Sequence, residues 1–153
     1  MNPVRTFFYG DFARGRSAWG LLLLRLLAGA ALMTHGFPKI QHPFSWMGPS
    51  APVPGVFQFL AAFSEFFGGL AFIAGLLTPL AALGVMATMV VAAFVALGSA
   101  PFISAKPQAP SKEPALSYFA VAATLFLAGP GILSLDARLF DRKRDLDTSR
   151  IAT

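Results

Sequence analysis

The sequence predicts an all-α protein, an integral membrane four-helix bundle with both termini in the cytoplasm. Of its 153 residues, 56% are apolar and only 12% are charged, whereas a soluble domain carries about 25% charged residues. Four apolar segments each approach the roughly 20 residues that cross a bilayer. Basic residues gather before the first segment and after the fourth. Because cytoplasmic flanks are enriched in Lys and Arg, this pattern places both termini inside.

The four segments are separated by residues that typically begin or end helices. Thr78 is the predicted N-cap of the third helix, with Pro79 at its first position, and Pro114 has the same place in the fourth helix. The sequence at 129–131, Gly-Pro-Gly, is expected to end the fourth helix. The predicted spans are 17–35, 56–77, 79–98 and 114–131.

The chain divides into three parts around these spans. Residues 1–16 are predicted to be a cytoplasmic interfacial segment, and residues 17–131 form the four-helix domain. Residues 132–153 are expected to be a basic amphipathic tail that begins as a short helix with Ser134 as its N-cap. The connection at 37–55 holds five prolines and is predicted to be non-helical. It is either a lid over a site or a plain anchored loop.

Composition also excludes several classes of function. The chain has no cysteine, so it cannot form disulfides or carry out its own thiol chemistry. Its net charge of +5 comes from residues that flank apolar segments, so no nucleic-acid partner is expected. The two histidines, His35 and His42, lie in one short segment, and no second helix offers a facing ligand. We therefore expect no metal site.

Arg25 is the most unusual residue of the first span, because it interrupts the apolar run LLLLRLLAGA. A charged side chain at the centre of a membrane helix costs about 2.5–3.5 kcal/mol on insertion scales. Glu65 is the matching acidic residue of the second span. A rise of 1.5 Å per residue places Arg25 about 3 Å inward and Glu65 about 3 Å outward of the membrane midplane. The sequence therefore predicts an Arg25–Glu65 pair, either functional or purely structural.

Further polar side chains cluster toward the outer ends of the first and fourth spans. They are His35, Lys39, Glu113 and Tyr118. Together they predict an outward-facing, mostly apolar pocket the size of a small headgroup. Arg25 and Glu65 are expected to form its floor, and His35 and Lys39 its rim.

Three motifs in this order resemble one known family. LLRLLAGAALMTHGFPKI holds the arginine and a His-Gly-x-x-Lys spacing, SEFFGGLAFIAGLLTPLAAL holds a Glu-x-x-Gly-Gly element, and GPGILSLD closes the fourth span. Over residues 17–136 the chain resembles the DoxX family of small four-helix bacterial membrane proteins. The resemblance implies a multi-pass protein of the bacterial inner membrane. It also implies an association with quinone-linked redox metabolism.

On this resemblance the chain is expected to be a subunit of a quinone-linked oxidoreductase complex. Glu65 and His35 are the candidate catalytic residues, and the candidate substrate-binding residues are Arg25, Lys39, Tyr118 and Glu113. No tightly bound cofactor is expected, and a quinone is the candidate ligand. The expected partners are the lipid bilayer, a redox protein and a second copy of the chain. The alternatives are a non-catalytic scaffold or assembly factor, and a small dimeric transporter in which Glu65 is the coupling carboxylate.

Overall fold

Four helices packed side by side make up most of the chain. The computed structural model describes residues 8–9, 11–106 and 109–140, and this part of the chain contains no strand. A π-helical turn, Ala92–Ala96, continues the third helix, and residues 135–140 are helical. The helices are α1 (Arg16–Gln41), α2 (Gly55–Ala74), α3 (Thr78–Val91) and α4 (Glu113–Ala128).

The surface of the bundle is apolar in the way that a lipid-facing surface is. Helices α1, α2 and α3 with its π-helical turn are each long and apolar enough to cross a membrane, and α4 is a shorter apolar helix. Large side chains point outward, with Leu27 65% and Leu127 83% exposed, while Ala62, Ala82 and Ala122 are fully buried. Small residues inside and large apolar residues outside are typical of helices that pack within lipid.

Glycines set the register between α1 and α2. A Cβ atom on Gly29 would lie 2.6 Å from the backbone oxygen of Gly69, and one on Gly36 would lie 2.5 Å from the backbone nitrogen of Phe66. The two helices therefore approach at distances that only glycine allows, and sliding one along the other would create clashes.

The bundle is closed on three sides and open on the fourth. Helix α1 packs extensively against α2, α2 against α3, and α3 against α4, but α1 and α4 make only slight contact. We call this open side the α1/α4 seam. It leaves the interior accessible from the side of the bundle.

Helix α1 is longer than the sequence predicted. It continues past His35 to Gln41 and includes Pro38 in its last turn. Proline removes one helical hydrogen bond, but its fixed φ angle is compatible with the helix. The prediction that residues 37–55 contain no helix is therefore wrong for residues 37–41, and Lys39 lies on α1 rather than in a loop.

The start of α3 also differs from the prediction. Helix α3 begins at Thr78 with Pro79 in its first turn, but the preceding Leu77 is left-handed, with φ 49°, and Thr78 provides no side-chain cap. The Asp136 carboxylate caps the helix instead, accepting hydrogen bonds from the backbone nitrogens of Leu77 at 2.7 Å and Thr78 at 2.9 Å. A cap from 58 residues away cannot be read from local sequence.

The segment after α4 returns to the bundle. Helix α4 ends at Ala128, just before the Gly-Pro-Gly sequence. The backbone nitrogen of Ala137 donates to Ser134 Oγ at 3.1 Å, so the predicted N-cap is confirmed. The backbone nitrogen of Ile132 donates to the Ala13 carbonyl at 3.0 Å, which joins the segments before α1 and after α4. The remainder of the predicted tail, 141–153, lies outside the described residues.

Candidate functional site

Arg25 is fully buried and bonded to backbone carbonyl groups. Its Nη1 donates to the oxygens of Phe72 at 3.1 Å and Ile73 at 3.4 Å, and its Nη2 donates to the oxygen of Leu133 at 2.5 Å. Glu65 is not among its partners. The predicted Arg25–Glu65 pair is therefore wrong.

The environment of Arg25 explains how its charge is accommodated. Phe72 and Ile73 lie in the last turn of α2, where the carbonyl groups of a helix C-terminus carry partial negative charge. The Asp136 carboxylate, at the start of α3, adds an attractive charge interaction. Gly75, with φ 63°, leaves the space that the guanidinium occupies. Arg25 thus links the C-terminus of α2 and, through Asp136, the N-terminus of α3 to the segment after α4.

The register explains why the depth estimate failed. Arg25 lies opposite residues 72–73 of α2. Glu65 is seven residues from Phe72, which at 1.5 Å per residue is about 10 Å along the helix axis. We refer below to the two ends of the bundle as the Arg25 end and the Lys39 end.

Glu65 pairs with Lys39. The Lys39 Nζ lies 2.6 Å from both carboxylate oxygens of Glu65, and the two side chains are 22% and 5% exposed. The Trp46 ring lies against the same ammonium, 4.5 Å from Nζ to the ring centroid, in the geometry of a cation–π contact. The pair is therefore charge-neutral and shielded by an aromatic ring.

The loop that carries Trp46 is anchored by one buried side chain, Gln58, which is 3% exposed. Its Oε1 accepts from the backbone nitrogen of Met47 at 3.0 Å, and its Nε2 donates to the Val53 carbonyl at 2.9 Å. The Trp46 Nε1 donates to the backbone oxygen of Gln58 at 3.0 Å. The loop is thus held in place with Trp46 next to Lys39.

A cavity of about 190 Å³ opens beside the Lys39–Glu65 pair. His35 and Tyr118 meet edge to face at its margin, with ring centroids 5.9 Å apart and planes at 77°. Within the described part of the chain, neither ring makes a hydrogen bond, so their polar atoms are free to bind a ligand. The polar lining residues are His35, Lys39, Glu65, Ser111 and Tyr118, and the apolar ones include Leu32, Met89 and Leu97.

The six residues proposed from sequence separate into two groups. The structure brings four of them to this cavity: His35, Lys39, Glu65 and Tyr118. Arg25 lies at the opposite end of the bundle, so it is not the floor of the pocket. Glu113 is exposed in the first turn of α4 and does not line the cavity.

Several lining residues were missed by sequence reasoning. Met89 and Leu97 lie on either side of the π-helical turn Ala92–Ala96. Such turns occur frequently at functional sites, but no residue type in this apolar stretch signals one. Ser111 comes from the loop before α4, and its place depends on how that loop folds back.

The cavity offers several hydrogen-bonding groups in a small volume. An ammonium carries three N–H groups, and the Glu65 oxygens accept only two of those on Lys39. The third N–H, the His35 imidazole and the Tyr118 hydroxyl can each bond a ligand oxygen. Apolar side chains cover the rest of the wall, so the site suits a small, mostly apolar ring with polar substituents.

The fold and the site define a class of protein, an α-helical membrane protein with a polar cavity at one end of its bundle. The family model of DoxX matches residues 20–98, just over half of the chain, and the chain belongs to the DoxX family. The match covers α1 to α3 with the π-helical turn, whereas α4 and Tyr118 lie beyond it. No curated protein and no solved structure matches the chain.

Proposed function

We propose that this protein is the quinone-binding subunit of an oxidoreductase complex in the bacterial inner membrane. The observation that carries the proposal is the cavity in which His35, Lys39, Glu65 and Tyr118 converge. A quinone ring carries two carbonyl oxygens, each of which accepts hydrogen bonds. The free N–H of Lys39 reaches one oxygen, and His35 or Tyr118 reaches the other.

The proposed orientation puts the cavity on the outer side of the membrane. Arg14, Arg16 and Arg138 lie at the Arg25 end of the bundle, which the positive-inside rule assigns to the cytoplasm. Four spans then leave both termini inside. Reporter fusions at residues 45 and 105 should report an outer location, and a C-terminal reporter found outside would contradict this topology.

The proposed chemistry is the reduction of a quinone to a quinol, which takes up two electrons and two protons. The electrons come from a redox partner protein. Lys39 and protonated His35 each give one proton to a ring oxygen. His35 is exposed and recovers its proton from the aqueous surface. Glu65 holds Lys39 in position, and Lys39, whose side chain is 22% exposed, takes its replacement proton from the same aqueous surface.

Trp46 provides a direct binding assay, because it lies beside Lys39 and the chain has only one other tryptophan, Trp19. In a Trp19→Phe background, a short-tailed benzoquinone should quench Trp46 fluorescence to saturation. Lys39→Met and Glu65→Gln should each weaken binding about tenfold or more, as expected when a hydrogen bond to a charged group is lost or misplaced.

The matched control is Lys112→Met. Lys112 is another lysine at the Lys39 end, and its Nζ lies over the Phe94 ring at 5.6 Å rather than in the cavity. This variant should bind the quinone as the parent does. Circular dichroism of every variant verifies that the helices are formed. Quenching that rises linearly without saturation, or that is equal in all variants, would contradict the proposal.

A scaffold function is the second candidate, and the two-oxygen contact between Lys39 and Glu65 favours it. In that case the ion pair holds α1 against α2, and a partner protein binds the surface of the bundle. Exchanging the two residues, Lys39→Glu with Glu65→Lys, would then preserve copurification of the partner, and no saturable quinone binding would occur.

A further inference from the structure

A second, apolar groove runs along the α1/α4 seam. Its volume is about 400 Å³. From Gly20 to Ala31 it spans eleven helical steps of α1, or about 16 Å at 1.5 Å per residue, which is longer than a single ring. None of its lining residues is charged. The wall on α4 is formed by Tyr118 and Val121.

Tyr118 lines both the groove and the polar cavity. The groove lies toward the Arg25 end of this residue, and the cavity lies toward the Lys39 end. The two spaces are also neighbours on α1, because Ala31 lines the groove and the next residue, Leu32, lines the cavity. A molecule with a ring and a tail can therefore occupy both at once across the Tyr118–His35 contact.

We propose that the α1/α4 seam is the lateral entry route and tail-binding groove for the ligand whose ring occupies the cavity. This inference rests on the proposed quinone function and adds the route, the tail site and the role of Tyr118. The ring passes between Tyr118 and His35 from the bilayer, and the tail remains along α1. Tyr118 is a positioning residue at the junction, where it orients the ring above the tail.

The charges in the two spaces favour an uncharged ring over a phospholipid headgroup. The only lysine that lines the cavity is already neutralised by Glu65, so no net positive charge is available for a phosphate. The groove has no polar side chain apart from Tyr118. A long apolar tail joined to a neutral ring satisfies both spaces.

Two neighbouring alanines of α1 allow a matched test. Ala31 lines the groove, as Tyr118 does, whereas Ala30 is exposed and does not line it. The probes are a benzoquinone with a decyl tail and the same ring without a tail, each titrated against Trp46 fluorescence in the Trp19→Phe background. Ala31→Phe, which adds no second fluorophore, should weaken the decyl probe about tenfold, equal to about two buried methylene groups. It should leave the tailless probe unchanged, and Ala30→Phe should affect the binding of neither probe.

The outcomes separate the two proposals. If the tailless ring binds but the decyl tail adds no affinity, or if Ala31→Phe has no greater effect than Ala30→Phe, the seam proposal is wrong and the quinone site stands. If a phospholipid with decyl chains displaces the tailed probe as well as a tailed quinone does, the groove is a general lipid contact and the seam proposal is again wrong. If neither the tailed nor the tailless probe binds, both the quinone-site proposal and the seam proposal are wrong.

Tyr118 itself gives a second readout. Tyr118→Phe keeps the ring that packs on His35 but removes the hydroxyl, and Tyr118→Ala removes both. With the decyl probe, we expect Tyr118→Ala to slow association more than Tyr118→Phe does, because the junction loses its shape. Equal association rates for the two variants would contradict a positioning role at the junction.

Discussion

Replacing Arg25 by methionine tests the conclusion that this residue holds the Arg25 end of the bundle together. Methionine has a similar length and no charge, so the substitution removes the hydrogen bonds without leaving a large void. It leaves the oxygens of Phe72 and Leu133 without the guanidinium, and it leaves Asp136 without a nearby positive charge.

The expected loss follows from the contacts. Hydrogen bonds to a charged group contribute about 1.5–3 kcal/mol each, and part of this is offset by the cost of burying the charge. Removing one partner of a buried charged group typically destabilises by about 3–5 kcal/mol. Arg25 is 0% exposed, so solvent screening does not reduce this value. We expect Arg25→Met to lower the free energy of unfolding by about 3–5 kcal/mol.

Equilibrium unfolding in mixed detergent micelles measures this loss, and a double-mutant cycle with Glu65→Gln identifies the partner. Arg25 and Glu65 do not touch, so their effects should add within about 0.5 kcal/mol. The folded Arg25→Met variant should also bind quinone as the parent does. A coupling energy above about 1 kcal/mol between the two positions would refute the assignment of Arg25 to the backbone carbonyls.

Three further predictions concern packing, the loop and pH. Gly36→Ala should destabilise by about 1–3 kcal/mol because its Cβ would meet backbone atoms of α2. Gly20→Ala, whose Cβ meets nothing within 4 Å, should be neutral or stabilising in the same unfolding assay. In the Trp19→Phe background, Gln58→Leu should release the loop by removing the side-chain bonds to Met47 and Val53 and so expose Trp46, seen as a red-shifted emission, and an unchanged spectrum would contradict its anchoring role. Burial, followed by the charge and hydrogen bond of Asp136, raises the pKa of Tyr9 to about 12 from 10.0. Because the folded pKa is the higher one, this contact stabilises fully below pH 10 and is lost toward pH 12. Tyr9→Phe should remove that part of the pH dependence of stability.

The helical class of this protein follows from composition and span length, because both are properties of the whole chain. The apolar segments became helices close to their expected positions, and the DoxX resemblance was confirmed by the family match. Local signals also held where the partner is near in sequence. Ser134 caps the helical segment that begins one residue later.

The contacts between helices were harder to predict, because they depend on register. Counting residues from the centre of each span gave depths that paired Arg25 with Glu65. The actual register depends on contacts such as Gly36 with Phe66, and on the continuation of α1 through Pro38. These features place Lys39 opposite Glu65. Likewise, nothing near Thr78 indicates that Asp136 caps its helix.

The composition of the cavity was predictable only in part. The clustering of His35, Lys39 and Tyr118 near one end of their spans is visible in the sequence, because each lies within six residues of a helix end. Glu113 lies near the same end, but it faces outward from the first turn of α4. Which face a single polar residue occupies depends on the rotation of its helix, and the weak amphipathicity of these helices does not define it.

Photoaffinity labelling in native membranes is the most direct test of the quinone site. A quinone that carries an azide on its ring would be photolysed in membranes that contain the full chain, and the labelled residues would be identified by mass spectrometry. We predict labelling at cavity residues such as Met89 and Tyr118, competed by unlabelled quinone and strongly reduced in Lys39→Met. Labelling scattered over the exposed faces of α2 and α3, with no competition and no effect of Lys39→Met, would contradict a quinone site in this cavity.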